Sequence, residues 1–434
     1  MSQQERRLSL GAFLMNYGHH IAAWRHPESS KVRPIDLAFY KDCALAAERG
    51  KFDMIFLADN NSIPLIGDLR TNVSFLQPEA LTMLSALAGV TSHIGLTGTA
   101  STTFNEPYSL ARRLSTLDHI SGGRAAWNVV TSTKDAEARN FGSAALLEHG
   151  KRYERAEEFM RAVTGLWDSW EEDAVVVDRE GIVFADTDKI HRVHHQGEYF
   201  RIEGPLNMPR SPQGRPVIIE AGTSAAGQRL AARTADVVFT ACEDKAEAIR
   251  YYQRFKSLLT EYGREPDDVK VMPGLLVFLG ESEEEARESR QMWSELILPE
   301  AAVKYLSQLL NTDLSGYPAD GPLPDLPKEG NSSRAVMIIE TAKRSGMSVQ
   351  ELGRHYAVAR GHMTVTGSPD QIADMIEDWF RSGACDGFNV MAPLLPSGLE
   401  RFVDSVVPLL QQRGIFRSEY SGRTLREHLG IRLR

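Results

Sequence analysis

Eight short and almost continuously apolar segments recur along the chain, and each is followed by a longer amphipathic stretch. Unbroken apolar runs are typical of strands in a parallel sheet that is buried on both faces. Eight such strands alternating with helices can close into a (β/α)8 barrel of the TIM type, which is the predicted α/β fold. The predicted strands are LGAFLM (10–15), FDMIFLAD (52–59), IGLTGTAS (94–101), AAWNVV (125–130), PVIIEAG (216–222), DVVFTA (236–241), VMPGLLVFLG (271–280) and GFNVMAP (387–393).

Three residues at the ends of the intervening segments support this alternation. Gly50 follows the helical stretch that ends at Arg49, and glycine is a common helix stop. Pro107 stands where a helix can begin after the third predicted strand. Ser224 follows the fifth predicted strand after a Gly-Thr pair and is suited to cap a helix.

Two segments exceed what a minimal barrel needs. Residues 171–204 are polar and include RVHHQGEYFRIEG, which predicts a β-hairpin. Residues 294–366 include GYPADGPLPDLPKEGNSS, flanked by helical pattern. We interpret both as insertions, and insertions over the carboxyl end of a barrel commonly form lids. The chain 1–434 is therefore predicted to be one domain, with a polar C-terminal tail that is a candidate for wrapping a neighbouring subunit.

Charge and cysteine content argue against several classes of protein. The formal net charge of -9 disfavours nucleic acid as the main partner. Three scattered cysteines do not suit a disulfide framework and are read as reduced thiols. The N-terminus lacks the apolar region of a signal peptide, and no apolar run approaches the roughly 18 residues of a membrane span. The expectation is a soluble cytoplasmic protein that acts on a small molecule.

Polar residues cluster where the predicted strands end, which is the functional end of such a barrel. Each one alone is more often a turn former or a helix cap than a functional group, but their joint position on one rim favours a site. The residues concerned are His19 and His20 after the first strand, Asp59 after the second, Thr102 and Thr103 after the third, Asn128 and Thr131 at the fourth, and Ser224 after the fifth.

The segment EAGTSAAGQRLAA predicts a possible anion site. A strand ends, small residues follow, and a helix begins near Ser224, so backbone N–H groups and the helix dipole face a potential phosphate. A tight turn with a serine cap is the alternative. In LEHGKRYERAEEF, His149 and Tyr153 are four residues apart on one helix face and could meet the same ligand or simply reach solvent.

Other familiar sites do not stand out. His19–His20 and His194–His195 are adjacent pairs, which are poor chelates on a strand because neighbours point to opposite faces. HExxH, GxSxG, P-loop and strand-following GxGxxG patterns do not occur. A metal hydrolase on a barrel is therefore a weak alternative, and no metal ligands are predicted.

Several longer motifs resemble the bacterial luciferase-like superfamily. They are AAWRHP, ERGKFDMIFLAD, TTFNEPYSLARR, LDHISGGRAAWNVVTS, EHGKRYERAEEF, GPLNMPRSPQGRPVIIEAGTSAAG, TGSPDQIADMIEDWF and GRTLREHLGI. Within that superfamily they look like the branch of nitrilotriacetate monooxygenase component A, dibenzothiophene-sulfone monooxygenase and the N-acetyl-cysteine-conjugate monooxygenases. The match extends over nearly the whole chain.

The resemblance implies a two-component flavin monooxygenase. A separate NAD(P)H-dependent reductase would supply reduced FMN, and O2 would be the co-substrate for oxygenating a small molecule at or next to a C–N or C–S bond. Relatives are usually oligomeric, so a homodimer or homotetramer is expected. The implied FMN-binding residues are Asp59, Thr103, Asn128, His149, Tyr153 and Ser224. The first three would lie by the flavin ring, the next two by the ribityl phosphate and the last at the phosphate.

His19 is the catalytic candidate, which would hydrogen-bond the activated oxygen. Two other functions stay open from the sequence. One is a flavin-binding protein without oxygenase activity, and the other is a deazaflavin-dependent oxidoreductase, because a sister branch of the superfamily uses that cofactor.

Overall fold

A computed structural model describes residues 6–33, 35–63, 69–222, 224–326, 333–359 and 361–432. The strands of these residues, in chain order, are β1 (Ser9–Leu14), β2 (Met54–Leu57), β3 (Gly95–Ser101), β4 (Ala125–Val130), β5 (Val175–Asp178), β6 (Val183–Ala185), β7 (His195–Gln196), β8 (Arg201–Ile202), β9 (Val217–Glu220), β10 (Val237–Thr240), β11 (Lys270–Leu279), β12 (Met363–Gly367) and β13 (Gly387–Met391). The helices are α1 (Leu37–Arg49), α2 (Ala80–Ala88), α3 (Pro107–Ser121), α4 (Asp135–Asn140), α5 (His149–Trp167), α6 (Ala225–Thr234), α7 (Lys245–Thr260), α8 (Glu283–Glu295), α9 (Pro299–Leu310), α10 (Ser333–Ser345), α11 (Val349–Ala359), α12 (Pro369–Arg381), α13 (Ser397–Ser405), α14 (Val407–Gln412) and α15 (Leu425–Leu429).

Eight parallel strands close the predicted barrel. Their order is β1-β2-β3-β4-β9-β10-β11-β13, and β13 pairs back with β1 through the register Ser9↔Gly387. Each of the eight predicted apolar segments supplies one of these strands, so the TIM-type fold is confirmed. The helix signals are confirmed as well: Gly50 ends α1, Pro107 begins α3 and Ser224 caps α6.

The interior of the barrel is filled mostly by large apolar side chains from alternate positions of the strands. They form one buried cluster that includes Phe13, Met54, Phe56, Ala126, Val217, Ile219, Val237, Met272, Leu276 and Met391. The intervening strand residues face the surrounding helices in a second, larger cluster. This alternation of buried faces explains why the strands read as unbroken apolar runs.

The C-terminal tail packs against the amino end of this chain's own barrel. Leu425 of α15 packs against Gly95, where an added Cβ would lie 2.5 Å from the leucine. Arg417 and Arg426 form buried ion pairs with Asp53 and Asp236, which precede strands β2 and β10. Leu425, Arg417 and Arg426 therefore attach the tail to the barrel of the same chain.

The insertion at 171–204 forms two hairpins, β5–β6 and β7–β8, where the sequence predicted one. Asp168, at the end of α5, accepts a 2.6 Å hydrogen bond from Arg215, two residues before β9. The insertion therefore begins at the amino end of the barrel. The expectation that both insertions lie over the carboxyl end is wrong for its β5–β6 hairpin.

The second insertion contains helices α9, α10 and α11 and is shorter than predicted. Helices α9, α10 and α11 share a buried core that includes Leu306, Leu310, Ile338 and Leu352. Residues 363–366, placed at the end of the lid by the sequence, instead belong to β12, which pairs in parallel with β11. Residues 327–332 and 360 of the predicted insertion lie outside the described residues. Among described helices, none is long and apolar enough to cross a membrane.

Candidate functional site

The candidate residues lie at or beyond the carboxyl ends of the barrel strands. Asp59 and Thr103 each stand two residues past a strand end, after β2 and β3. Asn128 is within β4, and Ser224 follows β9 by four residues. Parallel strands end on the same side of a barrel, so these side chains share one rim.

At the start of α6, Gly222, Ser224 and Gly227 lie beside Tyr153 of α5, and we term these four residues the α6 cradle. The Ser224 hydroxyl accepts a 3.1 Å hydrogen bond from the Gly227 N–H. An added Cβ at Gly227 would lie 2.9 Å from the Gly222 Cα and 3.1 Å from the Tyr153 hydroxyl oxygen. Glycine at these positions lets backbone and ligand approach closely, and the positive end of the helix favours an anion.

Helix α5 brings His149 and Tyr153 to this cradle. The two rings lie on one face of the first turns of the helix, with centroids 4.9 Å apart and planes inclined by 45°. His149 is exposed and Tyr153 is half-buried. The two rings therefore share one face of the helix, as the spacing of four residues predicted. The Tyr153 hydroxyl lies beside Gly227 of the cradle.

Two arginines on the same helix fix it to the rim. Arg152 donates to the carbonyl of Ser132, and Arg155 donates to the carbonyl of Thr102. These bonds join the start of α5 to the ends of β3 and β4. Neither arginine was predicted from the sequence, although their positions close to Tyr153 on an amphipathic helix were a usable signal.

A buried polar pair lies below this rim. Asn128 is 5% exposed and donates through Nδ2 to the Thr99 hydroxyl at 2.9 Å. Its Oδ1 has no hydrogen-bond partner among the described residues. A buried acceptor without a partner is costly, so this amide is suited to a donor on a bound ligand. Thr99 was not predicted, although Thr97, Thr99 and Ser101 alternate along β3 in the sequence.

Thr103 makes a structural contact at the same rim. Its hydroxyl donates to the Thr131 carbonyl at 2.8 Å, and the neighbouring hydroxyls of Ser101 and Ser132 lie 2.8 Å apart. The Thr103 oxygen can still accept a hydrogen bond from a ligand, but its proton is already committed. These bonds hold the ends of β3 and β4 together.

Asp59 is a half-buried carboxyl on the neighbouring part of the rim. Burial and the nearby carboxylates of Glu79 and Glu137 together raise its pKa to about 6, and hydrogen bonds from the Ala80 and Asn60 backbone oppose the shift. Its charge therefore changes close to neutral pH, which is typical of functional carboxyls.

Phenylalanine rings form a floor beneath the rim. Phe13, Phe56 and Phe239 make edge-on or tilted contacts, with centroids 4.7 to 5.9 Å apart. His19 packs edge-on against Phe13 at 4.5 Å, and its Nε2 lies 2.9 Å from the Phe13 carbonyl oxygen. Because a carbonyl only accepts, Nε2 of His19 carries the proton and Nδ1 is the acceptor nitrogen of the neutral ring.

His20 has the opposite arrangement. Its Nδ1 accepts a 3.2 Å hydrogen bond from the Ala22 N–H, so the proton of the neutral ring is on Nε2. Burial lowers its pKa to about 3, and its ring packs against Trp293 at 4.8 Å. Nε2 has no acceptor among the described residues.

His362 completes the floor on the side of β11. Its ring stacks on Phe239 with centroids 5.1 Å apart and planes within 17°. Gly274 on β11 provides the room, because an added Cβ would lie 2.5 Å from the His362 Nδ1. No local sequence pattern indicates this contact, since it joins distant segments.

The structure thus joins several of the predicted residues, whereas Asp59 and His19 contact other groups. Hydrogen bonds and close contacts link Asn128, Thr103, Tyr153 and Ser224 through the ends of β3 and β4 and the start of α5. His19 lies on the aromatic floor rather than at the cradle. Among the described residues, no three His, Cys, Asp or Glu side chains are grouped to hold a metal ion.

The chain is similar over nearly its whole length to proteins of known activity. The profile of the family described as "Luciferase-like monooxygenase" matches residues 13–386. N-acetyl-S-(2-succino)cysteine monooxygenase of Bacillus subtilis (strain 168) is 48% identical, covering 99% of this chain and 98% of that protein. Nitrilotriacetate monooxygenase component A of Aminobacter aminovorans is 44% identical, with coverages of 98% and 97%.

A solved structure supports the same relationship. The riboflavin lyase RcaE, described with modified FMN and its substrate riboflavin, superimposes with a TM-score of 0.87. It is 30% identical in sequence, and the match covers 98% of this chain and 96% of that chain. The barrel and its elaborations are therefore shared with a protein whose crystal contains a flavin.

Proposed function

The chain belongs to the luciferase-like monooxygenase family, and we propose that it is the oxygenase of a two-component system that uses reduced FMN and O2. The expected family is confirmed by the profile match and by relatives named as monooxygenases. The cofactor, the reductase and the substrate class are the parts that the proposal adds.

The α6 cradle is the observation that carries the proposal. A helix start, a serine cap, two close glycines and a tyrosine hydroxyl converge there. Small residues admit a phosphate to the backbone N–H groups, and the helix dipole favours its negative charge. In the proposal Ser224 and these N–H groups bind the FMN phosphate, while Tyr153 and His149 contact it from α5.

The buried polar pair would orient the flavin ring. Asn128 offers Oδ1 as an acceptor for a ring N–H, and Thr99 fixes the amide through its hydroxyl. Asp59 and Thr103 stand beside it on the rim. Apolar residues of the floor would keep water from the reacting face of the ring, and exclusion of water protects the reaction from side products.

Reduced FMN would supply the two electrons that activate O2, with one oxygen atom passing to the substrate and the other leaving as water. Among this chain's residues, His19 is the proposed proton-handling group. Its neutral ring already donates Nε2–H to the Phe13 carbonyl, so it can accept a proton at Nδ1 but can donate a hydrogen bond there only when protonated. This refines the donor role expected from the sequence.

The names of two relatives support the proposed partner and the proposed substrate class. One relative is named as component A of its monooxygenase, which supports a separate component, proposed here to be an NAD(P)H-dependent flavin reductase. Another is named for an N-acetylated S-substituted cysteine, which supports oxygenation at or next to a C–S bond. A homodimer or homotetramer in the cytoplasm completes the proposal.

Isotope labelling tests the activity directly. The purified chain would be supplied with NADH, FMN, a generic flavin reductase and a panel of thioethers and amines under 18O2. The proposal predicts one 18O atom in an oxygenated product of at least one compound, dependent on both FMN and this chain. Hydrogen peroxide as the sole oxygen product would favour a flavin-binding protein, and activity with a deazaflavin alone would favour a dehydrogenase.

A further inference from the structure

The β5–β6 hairpin carries an unusual amount of exposed apolar surface. We term residues 175–185 the arm. Ile182 is 91% exposed and Phe184 is 69% exposed, and four valines of the arm are each 37 to 49% exposed. These four are Val175, Val176, Val177 and Val183. Both strands show exposed residues at successive positions, so both faces of the hairpin are open.

The arm stands on a well-fixed base. Ala174 is fully buried, Trp170 and Ile190 pair as an isolated bridge, and Lys189 binds Asp173. Beyond this base the two strands form their own two-stranded sheet and pair with no other described strand. A lone two-stranded hairpin is at best marginally stable in water, so the arm needs contacts that its own chain does not provide.

The backbone conformation of the arm also indicates that it needs contacts from outside this chain. Val177 and Ile182, on either side of the turn, have φ values of 51° and 57°. The left-handed region is unfavourable for β-branched residues and persists only where the surroundings stabilise it. Ile182 is 91% exposed and Val177 is 43% exposed, so the described chain leaves much of their surface uncovered.

The strands of the arm also lack the features that keep sheet edges from pairing. Natural edge strands are commonly protected by lysine, proline or inward-pointing charge. Here the charged side chains of the arm are Asp178, at the end of β5, and Arg179 and Glu180 in the turn that follows. Asp178 accepts hydrogen bonds from the N–H groups of Glu180 and Gly181 and so closes the turn.

We propose that the arm is an interface between two copies of this chain, packed on each other across a two-fold axis. A two-fold axis can bring identical edges together in antiparallel orientation, in which they can pair as strands. The exposed fractions of the six side chains equal about three fully exposed residues, or roughly 500–650 Å² of accessible surface at about 150–200 Å² each. Two arms would then bury roughly 1,000–1,300 Å², which reaches the lower bound of a specific interface.

A second copy fits better than a transient partner. An apolar surface of this size promotes aggregation whenever it is uncovered. A reductase that binds only during flavin transfer would leave the arm exposed for most of the time, whereas another copy of the chain is always present. The arm also begins at the amino end of the barrel, away from the α6 cradle, so this interface is independent of the proposed flavin site.

Sedimentation analysis of three proteins tests the interface. They are the wild type, the arm variant Ile182→Glu/Phe184→Glu, and the control Ile120→Glu, in which an isoleucine that is 55% exposed at the end of α3 is changed. The wild type and the control should form an assembly whose mass falls by half in the arm variant, through a dissociation constant raised at least roughly 100-fold. FMN binding should be equal in all three, so a failure of flavin binding and a failure of the interface are distinguishable.

Three results would overturn the inference. They are a wild type that sediments as a single chain, an arm variant that keeps the wild-type mass, and an arm variant that loses only its binding to an added flavin reductase. If the variant does not fold, hydrogen exchange of the wild type decides instead. The amides of 175–185 should be protected at high protein concentration and lose protection on dilution, and protection independent of concentration contradicts the proposal.

Discussion

Replacing Glu220 with glutamine should flatten the pH dependence of folding stability. Glu220 ends β9, just before the loop that leads to the α6 cradle, and is 4% exposed. Burial and the charge of Asp236 together raise its pKa to about 8, and a hydrogen bond from the Thr234 hydroxyl opposes the shift. The folded protein therefore binds this proton more tightly than the unfolded chain does.

The sign and size of the effect follow from linkage. Below pH 4.5, the ordinary value, both states are protonated and Glu220 costs nothing. Between pH 4.5 and about 8 the unfolded chain releases the proton first, so stability falls as pH rises. At about 1.4 kcal/mol per pH unit, the cost reaches about 5 kcal/mol above pH 8. With an unfolding entropy of about 2.1 cal/mol/K per residue, this corresponds to a Tm change of roughly 5 °C for a chain of 434 residues.

Thermal melts of the wild type and Glu220→Gln from pH 5 to 9 measure this difference. The two proteins should melt alike at pH 5, and the variant should melt roughly 5 °C higher at pH 9. The exposed control Glu172→Gln should follow the wild type at every pH. Parallel pH profiles for the wild type and Glu220→Gln would refute the reasoning, because Glu220 would then titrate equally in both states.

Three further substitutions test other parts of the structure. Gly227→Ala should weaken FMN binding at least tenfold in a flavin titration. It should also lower stability by about 1–3 kcal/mol, because the added methyl group would press on Gly222 and Tyr153. The control Gly150→Ala, at a helical position with open space around it, should change neither quantity. Asp59→Asn should remove the step near pH 6 from the profile of kcat/KM, and an unchanged step would exclude Asp59 as its source. Arg426→Met should lower stability by about 3–5 kcal/mol because it removes the arginine that forms a buried ion pair with Asp236. The exposed control Arg423→Met should melt like the wild type.

Local pattern was sufficient to predict the barrel. Strands such as LGAFLM and GFNVMAP are apolar throughout because they are buried on both faces, and that property is visible residue by residue. The cap at Ser224 and the facing rings of His149 and Tyr153 depend on separations of three and four residues, so they too could be predicted.

Features that depend on distant segments could not be predicted in the same way. Arg426 and Asp236 pair across 190 residues, and nothing near either residue indicates the other. His362 stacks on Phe239 only because Gly274 leaves room, which joins three separate parts of the chain. The location of the arm at the amino end of the barrel depends on where α5 ends, and composition alone suggested a lid.

The claim that the α6 cradle binds the phosphate of FMN is tested most directly by comparing FMN with riboflavin, which lacks that phosphate. Fluorescence titrations of both flavins in their reduced state, under anaerobic conditions, would be made with the wild type and with Ser224→Asp. We expect the wild type to bind reduced FMN at least roughly tenfold more tightly than reduced riboflavin, and Ser224→Asp to lose this preference because it sets a like charge against the phosphate. Equal affinity of the wild type for both flavins, or a preference that survives in Ser224→Asp, would contradict the account.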